Sequence, residues 1–467
     1  MTSENSSTDR TGLFDGVFAR GRVVADDGAW LRAMLAAEAG LARALERAGL
    51  VPAGAGAAVT AAAQAGELST ADRAEIAQSS GQTGNPVPGL ARVLTRKVAD
   101  PVARSAVHRG ATSQDIIDTA AMLLAHDAMD AALADLRTAA AAAARLAEVH
   151  HGTLMIGRTL LQQAVPVTFG VVAAGWLAGL DSAIEWLSFV RDTRLAVQFG
   201  GAAGTLASLR EDGVRVKALF AEELGLGDPP LPWHTERLRI IDVGATAARA
   251  CAALSKIARD VILLAQTEVG EVAEGGELAA PNGAVRRGGS SAMPNKSNPV
   301  AAIAILGCAK QAPGLLATLV AAAEQEHQRA AGAWHAEWQP LGHLLQLTVS
   351  AAAWARDLVT HLTVDEQRMA ANLARAGGLP LAERVTALLG ESLGGPAAHD
   401  LVAGAAARSA ASGVPLRDVL LATPQFVQKL SEAGIGQAQL DEALDPAGYL
   451  GAAQAFIAAA LDAHAQG

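Results

Sequence analysis

Thirteen residues near the middle of the chain, GGSSAMPNKSNPV at 288–300, bring three serine hydroxyls and one ammonium together with two glycines and two prolines. A loop that presents hydroxyls, an ammonium and free backbone N–H groups is equipped to grip an oxyanion and to move a proton. The glycines at 270, 275, 276, 283, 288 and 289 make the approach to it expensive to order. Pro294 and Pro299 pin its far end, and Asn298 stands at or near the cap of a helix that has Pro299 in its first turn. The same composition also suits an ordinary surface connection. A second cluster, HRGATSQDIIDTA at 108–120, offers Thr112 or Ser113 as a helix cap, with Asp115 in the first turn and Asp118 one turn on. A helix N-terminus binds carboxylates through its outward N–H groups, and His108 and Arg109 add positive character. A plain capping box would read the same way. A third, EQEHQRAAGAWHAEWQPLGH at 324–343, places His327, His335, His343, Arg329 and two tryptophans on or just beyond one long helix. Polar groups at this density either line a site or face solvent.

The elements that must position these clusters are helical. Of 467 residues, 51% are hydrophobic but only 3% aromatic, and alanine runs recur, so closely packed helices are expected. The net charge of -10 argues against nucleic acid or an anionic membrane as partner, while leaving room for a small anion at a local basic cluster. Cys251 and Cys308 are the only cysteines and lie in apolar helical context, which predicts buried thiols and suits a reducing cytoplasm. The polar N-terminus carries no signal-peptide core. No residue between Arg158 and Asp181 is charged, yet Gln162, Gln163, Pro166 and three glycines favour one buried bundle helix over a membrane span. Punctuation divides the chain into an N-terminal helical lobe (1–111), a central helical bundle carrying the signature loop (112–361) and a C-terminal helical lobe (362–467). No phosphate loop or metal-ligand spacing is present, so neither cofactor nor metal is expected.

GSSAMPNKSNP resembles the signature of the fumarase and aspartase superfamily, Gly-Ser-Ser-x-Met-Pro-x-Lys-x-Asn-Pro, with every fixed position filled. HRGATSQDIIDTA and QFGGAAGT are similar to motifs of its adenylosuccinate lyase branch; GRTLLQQAVPVTFG, LPWHTERLR, EHQRAAGAWHAEW and LDPAGYLGAA look most like the cycloisomerases within that branch. The resemblance spans essentially the whole chain. It implies an all-α, three-lobed subunit assembled into a homotetramer around a central helical bundle, with active sites shared between subunits. It implies a small tricarboxylate substrate, a reaction in which one carboxylate closes a lactone, and no cofactor. By position, Ser290 would handle the proton, Lys296 and Asn298 would hold carboxylate, and Thr112, Ser113 and His108 would bind a second one. Gln162, Ser291, Met293, Arg329 and His335 lie in the matching segments as further substrate-binding candidates. In the lyases a proton-transferring histidine follows the threonine of the segment matching RTLLQQ; here Leu160 stands there, which counts against amine-type eliminations. Ser297 replaces a basic residue common after the lysine and counts against a phosphorylated substrate. Another lyase of the superfamily, such as an adenylosuccinate or argininosuccinate lyase, or a crystallin-like structural protein, are the alternatives.

Overall fold

The computed structural model describes residues 12–66, 68–275, 277–278, 285–289, 293 and 296–467. The elements that matter for the site are, in chain order, helix α1 (Asp27–Arg47), helix α2 (Ser113–Val149), strands β1 (Leu154–Thr159) and β2 (Gln162–Thr168), helices α3 (Phe169–Thr193) and α4 (Leu238–Leu264), strand β3 (Val272–Glu274), helices α5 (Val300–Ala309) and α6 (Ala333–Thr360), and strand β4 (Leu362–Val364). The protein is mostly helical, and its strands form short two-stranded pairs, β1 with β2 and β3 with β4 among them. The chain divides into two compact units. One comprises residues 1–137, 182–255 and 304–355, the other 138–181, 256–303 and 356–467.

In the first unit α1 begins where the Asp26 side chain accepts the Ala29 N–H, a cap that its position before Trp30 predicts. The helix ends in a left-handed Gly49. Its inner face, with Leu41 and Leu45 fully buried, packs into a core shared with Leu90, Leu94, Ile116, Phe199 and Phe220. Gly40 lets the helix approach closely: a β-carbon there would stand 2.7 Å from Leu224 Cδ2. Cys251 and Cys308 are buried free thiols, as composition suggests; burial pushes their pKa values up to about 11 and about 12. In the second unit a smaller core forms around Val385, Leu389, Leu416, Leu420, Phe426 and Leu440.

The uncharged stretch after Arg158 differs from the single buried helix that its composition suggests. It is not one helix: β2 occupies its first part, antiparallel to β1, and α3 starts only at Phe169. Val165, Val167 and Thr168 are β-branched, and Pro166 has no N–H for a helix, which explains the choice. The turn between the strands is Leu160–Leu161, both left-handed (φ 50° and 64°) and exposed. Likewise His327 and Arg329 precede α6 and do not belong to it, since the helix starts at Ala333, just after Gly332. The stretch Val300–Ala321 is long and apolar enough to cross a bilayer by length and composition, although Lys310 and Gln311 interrupt it.

Candidate active site

The start of α2 is held from three directions within the first unit. Glu38, fully buried on α1, receives the His108 N–H at 2.9 Å through one oxygen and lies 2.7 Å from His108 Nδ1 through the other. Since a carboxylate only accepts, Nδ1 is the donor, which leaves Nε2 for another partner. His108 occupies the left-handed region (φ 57°). Burial works to lower its pKa, but the bond and charge of Glu38, with Asp115 adding, raise it by more. The protonated form of the ring is thereby favoured beside a helix N-terminus.

Asp115, also fully buried, is the second anchor. Its carboxyl accepts the backbone N–H of Thr112 (2.9 Å), Gly200 (3.0 Å) and Gly201 (2.9 Å) and the Gln198 amide (3.1 Å). Burial nevertheless lifts its pKa to about 6, against the lowering by these four bonds. One side chain therefore ties the HRGATS turn to the glycine turn at 200–204. Gln114 is the third: its amide N–H donates to the His234 carbonyl at 2.7 Å, and its oxygen accepts from Arg329 Nη1 at 2.6 Å. Arg329 Nη2 also donates to the carbonyls of Gly201 (3.2 Å) and Ala202 (2.9 Å). One turn deeper, buried Arg237 bridges Asp118 (2.7 and 3.0 Å) and Glu337 (3.0 and 2.6 Å), and Trp334 donates to Asp118 at 2.9 Å. A buried ion network of this kind fixes geometry more than it adds stability.

In the second unit Glu274, at the end of β3, sends its carboxylate to the N–H groups of Ala301 (2.9 Å) and Ala302 (2.8 Å) in the first turn of α5. Glu274 therefore does the capping that the sequence suggests for Asn298. Asn298 instead closes the base of the signature loop, where its N–H and its side-chain amide both donate to the Gly288 carbonyl (2.9 and 3.1 Å) and Gly289 bridges to Ser297. Gly288 is left-handed and its Cα faces the Asn298 backbone, so no side chain fits there. Both ends of the loop are thus fastened before its tip begins. On β1, Arg158 forks onto the buried Glu271 (2.9 and 2.7 Å), which also accepts from Asn372 at 2.7 Å.

Of the residues singled out in the sequence, His108, Thr112, Ser113 and Arg329 come together around the start of α2. His335 donates to the Gly84 carbonyl (3.1 Å) and packs against the rings of Trp334 and Trp338. Met293 and Lys296 are exposed on the signature loop, Asn298 is half-buried at its base, and Gln162 is exposed where β2 begins. Ser290 and Ser291 lie outside the described residues. Sequence reading missed Glu38, Gln198, Glu274 and Glu337. The signal for Glu38 and Gln198 is an isolated polar residue inside an otherwise apolar stretch, as at Glu38 in LAAEAGLA; Glu274 and Glu337 stand among other polar residues and carry no such signal.

Each unit thus carries a feature of its own, the helix N-terminus beside His108 in the first and the signature loop fastened at its base in the second, and the sequence has a family match. Residues 22–314 match the lyase family and residues 378–460 the adenylosuccinate lyase C-terminus, and the chain belongs to this enzyme family within the fumarase and aspartase superfamily. It is 45% identical to nitrosuccinate lyase of Streptomyces davaonensis, covering 92% of this chain and 90% of that one. It is 44% identical to 3-carboxy-cis,cis-muconate cycloisomerase of Bradyrhizobium diazoefficiens, covering 94% and 95%. Its fold matches the crystal structure of 3-carboxy-cis,cis-muconate lactonizing enzyme from Pseudomonas putida with a TM-score of 0.87 at 39% identity, over 97% of this chain and 99% of the other.

Proposed function

We propose that this enzyme is a cycloisomerase that closes 3-carboxy-cis,cis-muconate to 4-carboxymuconolactone, a step of protocatechuate breakdown, and that it works as a cytoplasmic homotetramer whose active sites combine residues of several subunits. In the reaction one carboxylate oxygen bonds to an alkene carbon, and the carbon next to another carboxylate gains a proton. No atom is lost. The difficult species is the enediolate formed when electron density moves onto that second carboxylate. Each donor aimed at such an oxyanion contributes about 3 to 4 kcal/mol. Lys296 and Asn298 would stabilise that charge and Ser290 would transfer the proton. The start of α2, with Thr112, Ser113 and the His108 ring, would hold another carboxylate. Ser291, Met293, Gln162, Arg329 and His335 would line or support the pocket.

The observation that carries this reading is the residue at the hairpin tip. Leu160 cannot protonate a leaving group, and lactone opening, the reverse direction, expels a carboxylate that needs no proton. A second reading has an observation of its own, the 45% identity to nitrosuccinate lyase. A nitro-substituted succinate would also lose its substituent as a stable anion, so Leu160 does not separate the two. Offering purified enzyme each substrate in turn does. Loss of the ultraviolet diene band of 3-carboxy-cis,cis-muconate with one product of unchanged mass supports the cycloisomerase. Turnover of nitrosuccinate alone replaces it with the lyase.

A further inference from the structure

His234 belongs to the LPWHTERLR segment and is 8% exposed, yet its Nδ1 is buried without a hydrogen-bond partner among the described residues. An N–H sealed without an acceptor is rarer and more costly than an unused lone pair, so the ring proton belongs on Nε2. The surroundings are the polar cluster described above. The His234 carbonyl is fixed by Gln114, whose other end holds Arg329. The ring stands over the left-handed Gly204, where a β-carbon would lie 2.7 Å from Cε1 and 3.2 Å from Nε2. Glycine at 204 thus lets the turn approach the Cε1–Nε2 edge with no side chain in the way. Arg329 spends donors on Gln114, Gly201 and Ala202, so it acts here as a brace for the turn. That leaves a donor at His234 with no task inside the fold.

We propose that His234 is a further substrate-contacting residue, its Nε2–H donating to one carboxylate of the substrate bound at the start of α2. This rests on the carboxylate-binding reading of that helix terminus. Burial, with the charge of Arg329 next, lowers the pKa of the imidazole and so favours the neutral ring, which offers one directed N–H.

The two ring nitrogens give the test. In His234→Gln the side-chain amide reaches the place of Nε2, and in His234→Asn only that of Nδ1. Binding of the saturated tricarboxylate tricarballylate, measured by calorimetry, should weaken about ten- to a hundredfold in His234→Asn, the worth of a hydrogen bond to a charged group, and recover in His234→Gln. KM for the cycloisomerase substrate should follow the same order, with unchanged melting temperatures. Equal affinities in all three proteins overturn the proposal, as does wild-type enzyme that binds no tricarballylate. His234-dependent binding without lactone formation would leave the proposal standing and sink the cycloisomerase reading alone. If the asparagine variant fails to fold, nitrogen-15 histidine spectra of the wild type decide: tricarballylate should shift the Nε2–H of one neutral imidazole, and no shift contradicts the role.

Discussion

The His108 ring is held by Glu38, which lies 70 residues earlier in the chain and is buried against it. Its pKa is higher in the folded protein than the ordinary 6.5, so this pair contributes stability that is complete below pH 6.5 and is lost as pH rises through the folded value. The thermal midpoint should therefore fall as pH rises above 6.5 more steeply in the wild type than in His108→Gln. Parallel curves would contradict the ion pair. Ser290→Ala should lower turnover by at least about two orders of magnitude, the usual contribution of a positioned proton-transfer group. Wild-type turnover in that variant would remove Ser290 from its role. His108, Thr112 and Lys296 were legible because each stands in a short motif whose chemistry is local. Glu38 was not, because its partner comes from folding and a lone glutamate in an alanine-rich helix reads equally well as a solvated face.

At the scale of elements, two features depend on single side chains. Glu274 caps α5 with a doubly accepting carboxylate, and Glu274→Ala should cost about 1 to 2 kcal/mol in chemical unfolding, as the loss of a helix cap does. A smaller loss would mean that Pro299 and its neighbours start the helix unaided. The β1–β2 hairpin turns on two left-handed leucines where asparagine and glycine are the preferred pair. Replacing Leu160–Leu161 by Asn-Gly should raise stability by about 1 kcal/mol or more, and an unchanged unfolding midpoint would show that the leucines recover their strain in contacts. The long helices were readable from alanine content and apolar spacing. The hairpin was not: its turn lacks the residues that announce one, and an uncharged run of helix length masks strands that alternate only weakly.

The whole molecule leaves large apolar side chains on its surface, among them Ile303 (52% exposed), Val320 (51%), Phe189 (51%) and Trp186 (44%). Such exposure fits a subunit that buries further surface by assembling. If His108 and Ser290 reach each active site from different subunits, mixing the inactive variants His108→Gln and Ser290→Ala through unfolding and reassembly should restore about a quarter of wild-type activity, since each site needs two intact donors drawn at random. A mixture as inactive as its components would place both residues in one subunit. The enzyme is expected to add a carboxylate and a proton across a double bond and to release nothing. Turnover of 3-carboxy-cis,cis-muconate in deuterated water tests it most directly by mass spectrometry of the product. The expected product is a single lactone carrying one deuterium on the carbon next to a carboxylate, with the diene band gone. An unchanged diene, a fragment of lower mass or a lactone without deuterium would contradict it.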